Sequence, residues 1–474
     1  MVRGRPSTTE RRHMRILFAT AEVSPLVSVG GLAEAAAGLV RQLRLLGVTV
    51  ELVVPDYTGA VLESEQVIHL DVPSWARPAQ ARSGSLEGVG PITLVDVPGM
   101  HRPHPYTDAE GEGWPDNADR FFGFSAAVAA LARVHQPDVI HCNDWHTGPV
   151  LSFLQGAYPT VLTIHTLGYQ GWTSGGWLDR LPFRTDAFES YGGTNPLAGA
   201  VQIADRVVAV SPSYAADIIT PEGGFGLHTQ LQALGDRLIG IRNGIDTSRW
   251  NPQHDPWIRV PFSSDDMAGK EACRRAIADE IGWADGAPIV GMVTRLVEQK
   301  GIDLALEAVT YAEHLPFRLV LLGSGDRGLA DWAHWLGDQA PDRVQFIDGF
   351  DRSLAHRIFA GSDLLLMPSR FEPCGLAQMQ AMEYGTIPVV TPVGGLNDTV
   401  IDADIDRRNG TGFVARSADG SGVVDAMHRA VRAWKQPQRR RAIQRRGMDA
   451  DWSWEMPARH HVEVYESVIR DRQL

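Results

Sequence analysis

At 474 residues the chain is longer than one hydrophobic core usually supports, so two large domains are expected. Its content, 44% hydrophobic and 21% charged, is ordinary for a globular protein, and no apolar run reaches the ~20 residues a bilayer span needs, which argues against a membrane partner. A net charge of -13 disfavours nucleic acid, and three scattered cysteines, Cys142, Cys273 and Cys374, argue against a disulfide framework or a zinc site and fit a reducing, cytoplasmic setting.

Residues 1–13 are basic, lack the apolar core of a secretory signal, and read as a disordered extension. From Arg15 the chain alternates strand and helix. A short apolar strand, residues 15–20, leads through a Gly-Gly loop into a helix over 32–46, and a second strand follows at 48–54. Further strands are predicted at 92–95, 138–142, 160–164, 206–210 and 237–241, with a helix over 119–134 among them. The pattern lapses over Asp246 to Asp266, which is rich in Pro, Asp and Trp, and resumes with strands at 288–294, 317–323, 344–347, 363–368 and 387–391. Repeated βα units imply parallel sheets covered by helices on both faces. The expectation is therefore an α/β protein of two Rossmann-like lobes facing across a cleft, 14–245 and 246–455. A final amphipathic helix over 457–470 would close the chain, and the Arg-rich 436–446 stretch reads as a solvated helix.

Candidate chemistry sits where strands end. In open parallel sheets the carboxyl ends of strands gather backbone N–H groups and helix N-termini, and ligands bind there. Ser28-Val29-Gly30-Gly31-Leu32 follows the first strand; its glycines suit either a phosphate or simply a tight turn. Asn143-Asp144-Trp145-His146 and His165-Thr166 follow two neighbouring strands, and polar groups beside aromatic rings suit a sugar. Asn243-Gly244-Ile245-Asp246 lies at the lapse and reads as a site or as a turn. Arg295 and Lys300 follow the first strand of the second lobe, where a guanidinium fork and an ammonium can hold a diphosphate and stabilise it as a leaving group. The segment 369–378 places Glu372 between a buried strand and a helix, suited to sugar hydroxyls or to charge developing at a reacting carbon. No H-E-x-x-H and no clustered carboxylates call for a metal, and no cofactor is expected.

Taken in order from about Met14 onward, these segments resemble the bacterial glycogen synthase and plant starch synthase family of retaining glycosyltransferases. The landmarks include Gly30-Gly31-Leu32, Asp116-Asn117, Arg120-Phe121, Asn143-Asp144-Trp145-His146, Tyr169-Gln170-Gly171 and Val210-Ser211-Pro212-Ser213-Tyr214. They continue through Asn243-Gly244-Ile245-Asp246, Arg295-Leu296, Gln299-Lys300-Gly301, Arg370-Phe371-Glu372-Pro373-Cys374-Gly375-Leu376 and Gly394-Gly395-Leu396-Asn397-Asp398-Thr399-Val400. The resemblance implies the GT-B fold, with the final helix (456–474) returning to the first lobe. It implies transfer of glucose from ADP-glucose to the non-reducing end of an α-1,4-glucan with retention, and no metal.

Carried over by position, the resemblance gives Arg295 and Lys300 to the diphosphate and Glu372 to glucose hydroxyls, with the donor facing Cys374, Gly375 and Leu376. His165 would contact the sugar near the reacting carbon, and Asp144 and Asn243 would line the same pocket. Ser28, Gly30 and Gly31 would lie at the donor phosphates. Gly394, Gly395 and Thr399 would meet the sugar or phosphate, the glycines through their N–H groups. Gln380, eight positions after Glu372, supports the starch synthase branch over transferases that carry an acid there. Four first-lobe positions depart from the family pattern: Ser28 for Lys, Glu34 for Asp, Thr166 for Asn, and Met100 or His101 for an aromatic. Two other readings therefore stand beside the first. One is a transferase of the same fold with a different nucleotide sugar or a small-molecule acceptor. The other is a catalytically weak homologue that binds sugar nucleotide or glucan.

Overall fold

The computed structural model describes residues 14–473 apart from 110, 284–285 and 313, so the expected disordered extension, residues 1–13, lies outside the described residues. Packing divides the chain into two compact units. One takes the chain up to Val208, Thr229–Leu238 and the segment from Glu455; the other takes Ala209–His228 and Ile239–Trp454. The lapse over 246–266 puts the expected division at 245; the second unit takes this stretch and, before it, Ala209–His228 and residues 239–245. Trp250 stacks on His356 at a ring separation of 3.9 Å, and Asp255 Oδ2 accepts from His356 Nδ1 at 2.7 Å and from the Tyr384 hydroxyl at 2.5 Å. A polar, proline-rich stretch reads as linker from composition, yet a buried carboxylate with two donors is a firm anchor.

The strands of the first unit are β1 (Arg15–Ala19), β2 (Thr49–Pro55), β3 (Glu63–His69), β4 (Gln80–Leu86), β5 (Gly90–Asp96), β6 (Val139–Asn143) and β7 (Thr160–Ile164). β1 pairs in parallel with both β2 and β6, and β6 with β7, while β4 runs antiparallel to β3 and β5. The antiparallel pair β3 and β4 was not foreseen. β3 is exposed and β4 half-buried, and both are largely polar, so they lack the apolar run that marks a buried strand, and a register shift between Glu63 and Gln66 breaks what alternation there is. A small antiparallel sheet of β8 (Thr173–Ser174), β9 (Glu189–Ser190) and β10 (Gly193–Thr194) was also missed, being two residues per strand. At the far edge, β11 (Arg206–Ala209) and β12 (Leu238–Gly240) carry the chain across the division.

Strand order reverses about β1. From β1 the chain moves outward one way to β2 and β5, then returns to β6 on β1's other side and moves out to β7. The space beyond the carboxyl ends of β1 and β6 is thus a topological switch point. The helix Gly31–Leu45 buries Leu32, Ala35, Ala36, Leu39, Val40 and Leu43 on one face, an i, i+3/i+4 stripe. The helix Glu455–Asp471 belongs to this unit and packs against the helix Gly31–Leu45 and strands β6 and β7. Its Tyr465 hydroxyl meets His141 Nδ1 at 2.7 Å, both residues buried.

In the second unit β13 (Ile289–Val293), β14 (Arg318–Gly323), β15 (Val344–Asp348), β16 (Leu364–Met367), β17 (Ile387–Val390) and β18 (Phe413–Val414) form an all-parallel sheet in the order β15-β14-β13-β16-β17-β18. Both faces are covered, so its strands are continuous apolar runs rather than alternating ones. The order reverses between β13 and β16, which makes that gap this unit's switch point. The Arg-rich stretch is helical over Pro437–Asp449 but not simply solvated, since Ile443, Gln444 and Gly447 are buried. No helix among the described residues is long and apolar enough to cross a membrane.

Candidate active site

The residues singled out in the sequence fall at the two switch points, and each unit carries its own set. In the second unit the loop after β13 brings Arg295 and Lys300, and the loop after β16 brings Glu372. Arg295 is exposed; Lys300 ends a single 3-10 turn, Glu298–Lys300. Gly301 follows in the left-handed region, φ 62°, and a Cβ there would lie 2.0 Å from the carbonyl oxygen of Pro368. Only glycine allows the two loops to approach this closely. Replacing Gly301 by Ala should lower Tm by roughly 5 °C or more, from backbone strain plus displacement of Pro368; an unchanged melting curve would remove this packing constraint.

The approach is completed by Arg370 N–H donating to Gln299 O at 2.8 Å and Gln299 Nε2 donating to Phe371 O at 3.1 Å. It sets Lys300 Nζ 2.6 Å from Glu372 Oε2, which also accepts from Ser369 Oγ at 3.1 Å. The Glu372 side chain is 6% exposed and that of Lys300 19%. The carried-over roles assign the ammonium to a diphosphate and the carboxylate to a sugar separately; here they are each other's partner. Opposite charges this deep in the protein offset part of each other's desolvation. Neither Lys300 nor Ser369 engages Oε1, which leaves that oxygen as an acceptor for a hydroxyl. Arg370 is occupied elsewhere, forked onto Asp303 at 2.8 and 2.6 Å.

The glycine pair requires a correction. Gly394 N–H donates to Asp217 Oδ2 at 3.0 Å and Gly395 N–H to Glu372 O at 2.9 Å, so both donors expected at a ligand are used inside the protein. A Cβ on Gly394 would lie 1.9 Å from Glu372 O, with φ at 44°. These glycines support the Glu372 loop from behind. Thr399 is likewise internal: buried, it accepts from Gln378 Nε2 at 3.0 Å and donates to Gly395 O at 2.8 Å.

Gln378 also donates to Cys374 O and Gly375 O, at 3.1 and 3.0 Å. It is a support that sequence reasoning missed, because a glutamine one residue into a helix carries no signal of its own. Leu376 forms the cap of that helix, Ala377–Glu383, and Gly375 precedes it at φ 71°. Burial pushes the Cys374 thiol up to about 12, against a backbone hydrogen bond from Asn243, so it stays protonated and is no nucleophile. Asn243 itself is buried, its N–H donating to Val210 O at 3.3 Å.

In the first unit the loop after β1 carries Ser28, Gly30 and Gly31 at the start of the helix Gly31–Leu45, with Ser28 and Gly31 exposed. Glu22, buried and not anticipated, fixes this loop: Oε2 accepts from Val29 and Gly30 N–H at 2.7 and 3.1 Å, and Oε1 from the Tyr106 hydroxyl at 2.6 Å. Space around the Cα of Gly30 is open, so this glycine is not demanded by packing. Asp144 and His165 follow β6 and β7. Asp144 sits at φ 53° and its Oδ1 accepts from His165 N–H at 2.7 Å, which ties the two strand ends together.

His165 Nε2 lies 2.9 Å from Asn143 Oδ1, and Asn143 Nδ2 donates to Ala19 O. With the amide so oriented, Nε2 carries the proton and Nδ1 keeps a lone pair. Burial, then the neighbouring His461, lowers His165 to about 3, so the ring is neutral at physiological pH. A neutral imidazole with a free lone pair accepts from a hydroxyl; it does not act as a cation.

Buried neutral imidazoles are concentrated in this unit. Burial lowers His146 to about 3 and His461 to about 4, and takes His141 well below its usual value. The unfolded chain takes up these protons near pH 6.5 and the folded chain does not, so stability should fall as pH drops from 6.5 toward 4. Asp144, raised to about 7 by burial, and Glu383 of the second unit, raised to about 8 by burial, work the other way as pH falls toward 4, but they are two groups against four. Tm measured between pH 7.5 and 4.5 should decline, and less steeply in His461→Leu; equal slopes would show that these histidines do not set the acid limit.

Residues 15–233 match the starch synthase catalytic domain, and residues 274–447 the glycosyl transferases group 1 domain. The chain is 40% identical to the glycogen synthase of Halorhodospira halophila, over 97% of this chain and 100% of that one. The chain belongs to the glycogen and starch synthase family. Glycogen synthase 2 of Nitrosococcus oceani is 37% identical over 96% of this chain and 97% of its own. Among solved structures, the catalytic domain of starch synthase IV from Arabidopsis thaliana, bound to ADP and acarbose, superposes with a TM-score of 0.87 at 32% identity, covering 97% and 99% of the two chains. This synthase is therefore a glycosyltransferase of GT-B fold that works with a nucleotide-sugar donor and a glucan acceptor. The four first-lobe departures, Ser28 among them, lie within the matched starch synthase domain.

Proposed function

We propose that the chain transfers glucose from ADP-glucose to the 4-hydroxyl at the non-reducing end of an α-1,4-glucan, with retention and without a metal. The observation that carries this reading is the Lys300–Glu372 pair at the β13/β16 switch point, a leaving-group cation and a sugar-binding carboxylate on two laced loops. In the reaction the bond from the glucose C1 to the diphosphate oxygen breaks, a bond from C1 to the acceptor oxygen forms, and the proton of the acceptor hydroxyl passes to the departing diphosphate. Arg295 and Lys300 take the growing negative charge of the departing diphosphate. Glu372 Oε1 accepts from a glucose hydroxyl, and His165 Nδ1 accepts from another near the reacting carbon. Asp144 holds His165 through its N–H, and Asn243 borders the Cys374 loop. The choice of ADP is supported by the bound nucleotide of the Arabidopsis relative. A cytoplasmic setting is supported by three free, buried cysteines.

The experiment is a transfer assay with labelled ADP-glucose or UDP-glucose and glycogen, maltose or no acceptor. Elongated glucan from ADP-glucose is the expected result; turnover on maltose alone, or from UDP-glucose alone, would replace this reading.

A second reading rests on Ser28, exposed where the family carries a lysine. A lost charge-assisted contact is worth about 1.5–3 kcal/mol, hence about tenfold or more in rate if it forms in the transition state. Ser28→Lys should therefore raise kcat with ADP-glucose and glycogen about tenfold. No gain, with small acceptors preferred, would favour a pocket rebuilt for another acceptor.

A further inference from the structure

The helix Glu455–Asp471 packs on β6 and β7 with two polar rings, His461 and Tyr465, both buried. Four residues apart, they share one face of the helix. A helix usually lays apolar side chains on a sheet, so buried polar rings here need partners. Strand β6 supplies His141 and Asn143; β7 supplies Thr163, and His165 follows its end. The alternation of strand side chains sets His141 with Asn143, and Thr163 with His165, on one side of the sheet.

The Tyr465 hydroxyl meets His141 Nδ1, and Thr163 Oγ1 meets His141 Nε2, each at 2.7 Å. A buried tyrosine hydroxyl donates, so the His141 proton sits on Nε2, toward Thr163. One step along the same strands Asn143 Oδ1 meets His165 Nε2 at 2.9 Å. His461 Nδ1 donates to Pro457 O at 2.8 Å, which leaves its Nε2 a bare lone pair. Its ring stacks on His141 at 5.9 Å, with 22° between the planes, and Phe18 stands edge-on to His141 at 4.6 Å. His461 also neighbours His165, and two adjacent imidazoles disfavour each other's protonation.

These contacts form a buried polar seam that runs from the last helix to the half-buried ring of His165. Such networks fix rotamers, because breaking one link leaves a buried group unsatisfied. We propose that Tyr465 and His461 are positioning residues for His165, holding its proton on Nε2 and its Nδ1 lone pair toward the substrate. His165 meets the sugar in the reaction proposed above, and this role rests on that reading. A misplaced acceptor at the reacting carbon costs rate more than binding.

The test uses the full chain carrying Tyr465→Phe or His461→Phe, each alone and combined with His165→Ala, with ADP-glucose and glycogen as substrates. Each single variant should lower kcat about tenfold with KM within about threefold. Added to His165→Ala, either should cost less than about twofold, since the group it positions is gone. A parental kcat in both single variants while His165→Ala is impaired, or an equal loss in the two backgrounds, overturns the proposal. Nitrogen NMR of histidine-labelled protein reads the ring directly, His165 being assigned by its loss in His165→Ala. The parent should carry the His165 proton on Nε2, and the two phenylalanine variants a mixture of tautomers; an unchanged signal in both overturns the positioning role. Should His165→Ala keep the parental kcat, the sugar contact given to His165 fails, and the NMR comparison alone decides whether the helix positions the ring.

Discussion

Lys300→Ala should lower kcat by about 10²–10³-fold, the range found when one preorganised group facing developing charge is removed. The departing diphosphate gains charge as the glycosidic bond breaks, so the ammonium counts for more in the transition state than with bound donor, and KM should change less than kcat. A second effect comes from the partner. Glu372 is 6% exposed and would lose the ammonium it meets at 2.6 Å, leaving a buried carboxylate with the Ser369 hydroxyl. Lys300→Arg should not restore the rate, because a planar fork cannot occupy the point position that Gly301 and Pro368 define. Steady-state kinetics across the three proteins measure this; a kcat within tenfold of the parent would take Lys300 out of the leaving-group role.

Glu372→Ala should cost about as much in kcat, by another route. The carboxylate offers Oε1 to a sugar hydroxyl and holds Lys300 by Oε2. Its removal frees the ammonium, so nucleotide affinity should hold or rise while turnover falls by about 10²–10³-fold. Glu372→Gln keeps an acceptor for the hydroxyl but removes the charge, which separates the two duties. The pair is in contact, so the double variant should be far less than the product of the singles. Strict multiplication, measured by kinetics together with calorimetric ADP binding, would mean that the two residues act independently.

These expectations trace to features of unequal legibility. The buried parallel strands could be read because strands covered on both faces are uninterrupted apolar runs, as in Leu364–Met367 and Ile387–Val390. Polar clusters just beyond such runs, at Asp144, His165, Lys300 and Glu372, stood out for the same reason. Exposed elements did not. Glu63–His69 buries almost nothing, and its partner mixes Gln, Arg, Ser and Gly. The anchoring of Asp255 by His356 and Tyr384 joins residues about a hundred positions apart, and no local pattern reports it. The glycine pair misled for a related reason. A Gly-Gly at a helix start looks alike in sequence whether its N–H groups meet a phosphate or, as with Gly394 and Gly395, protein oxygens. Gln378 and Glu22 act by position alone, and position follows from the fold.

The helix Glu455–Asp471 packs on strands that lie about three hundred residues earlier, with Tyr465 against His141. During synthesis the ribosome must therefore complete the whole second unit before the first can bury its last face. Nascent β6 and β7 wait with an apolar flank uncovered, and the second unit matures while its predecessor is still unfinished. Translation arrest or a frameshift late in the message would strike the earliest-made part of the protein, leaving a later-made core intact beside a partner that never closes.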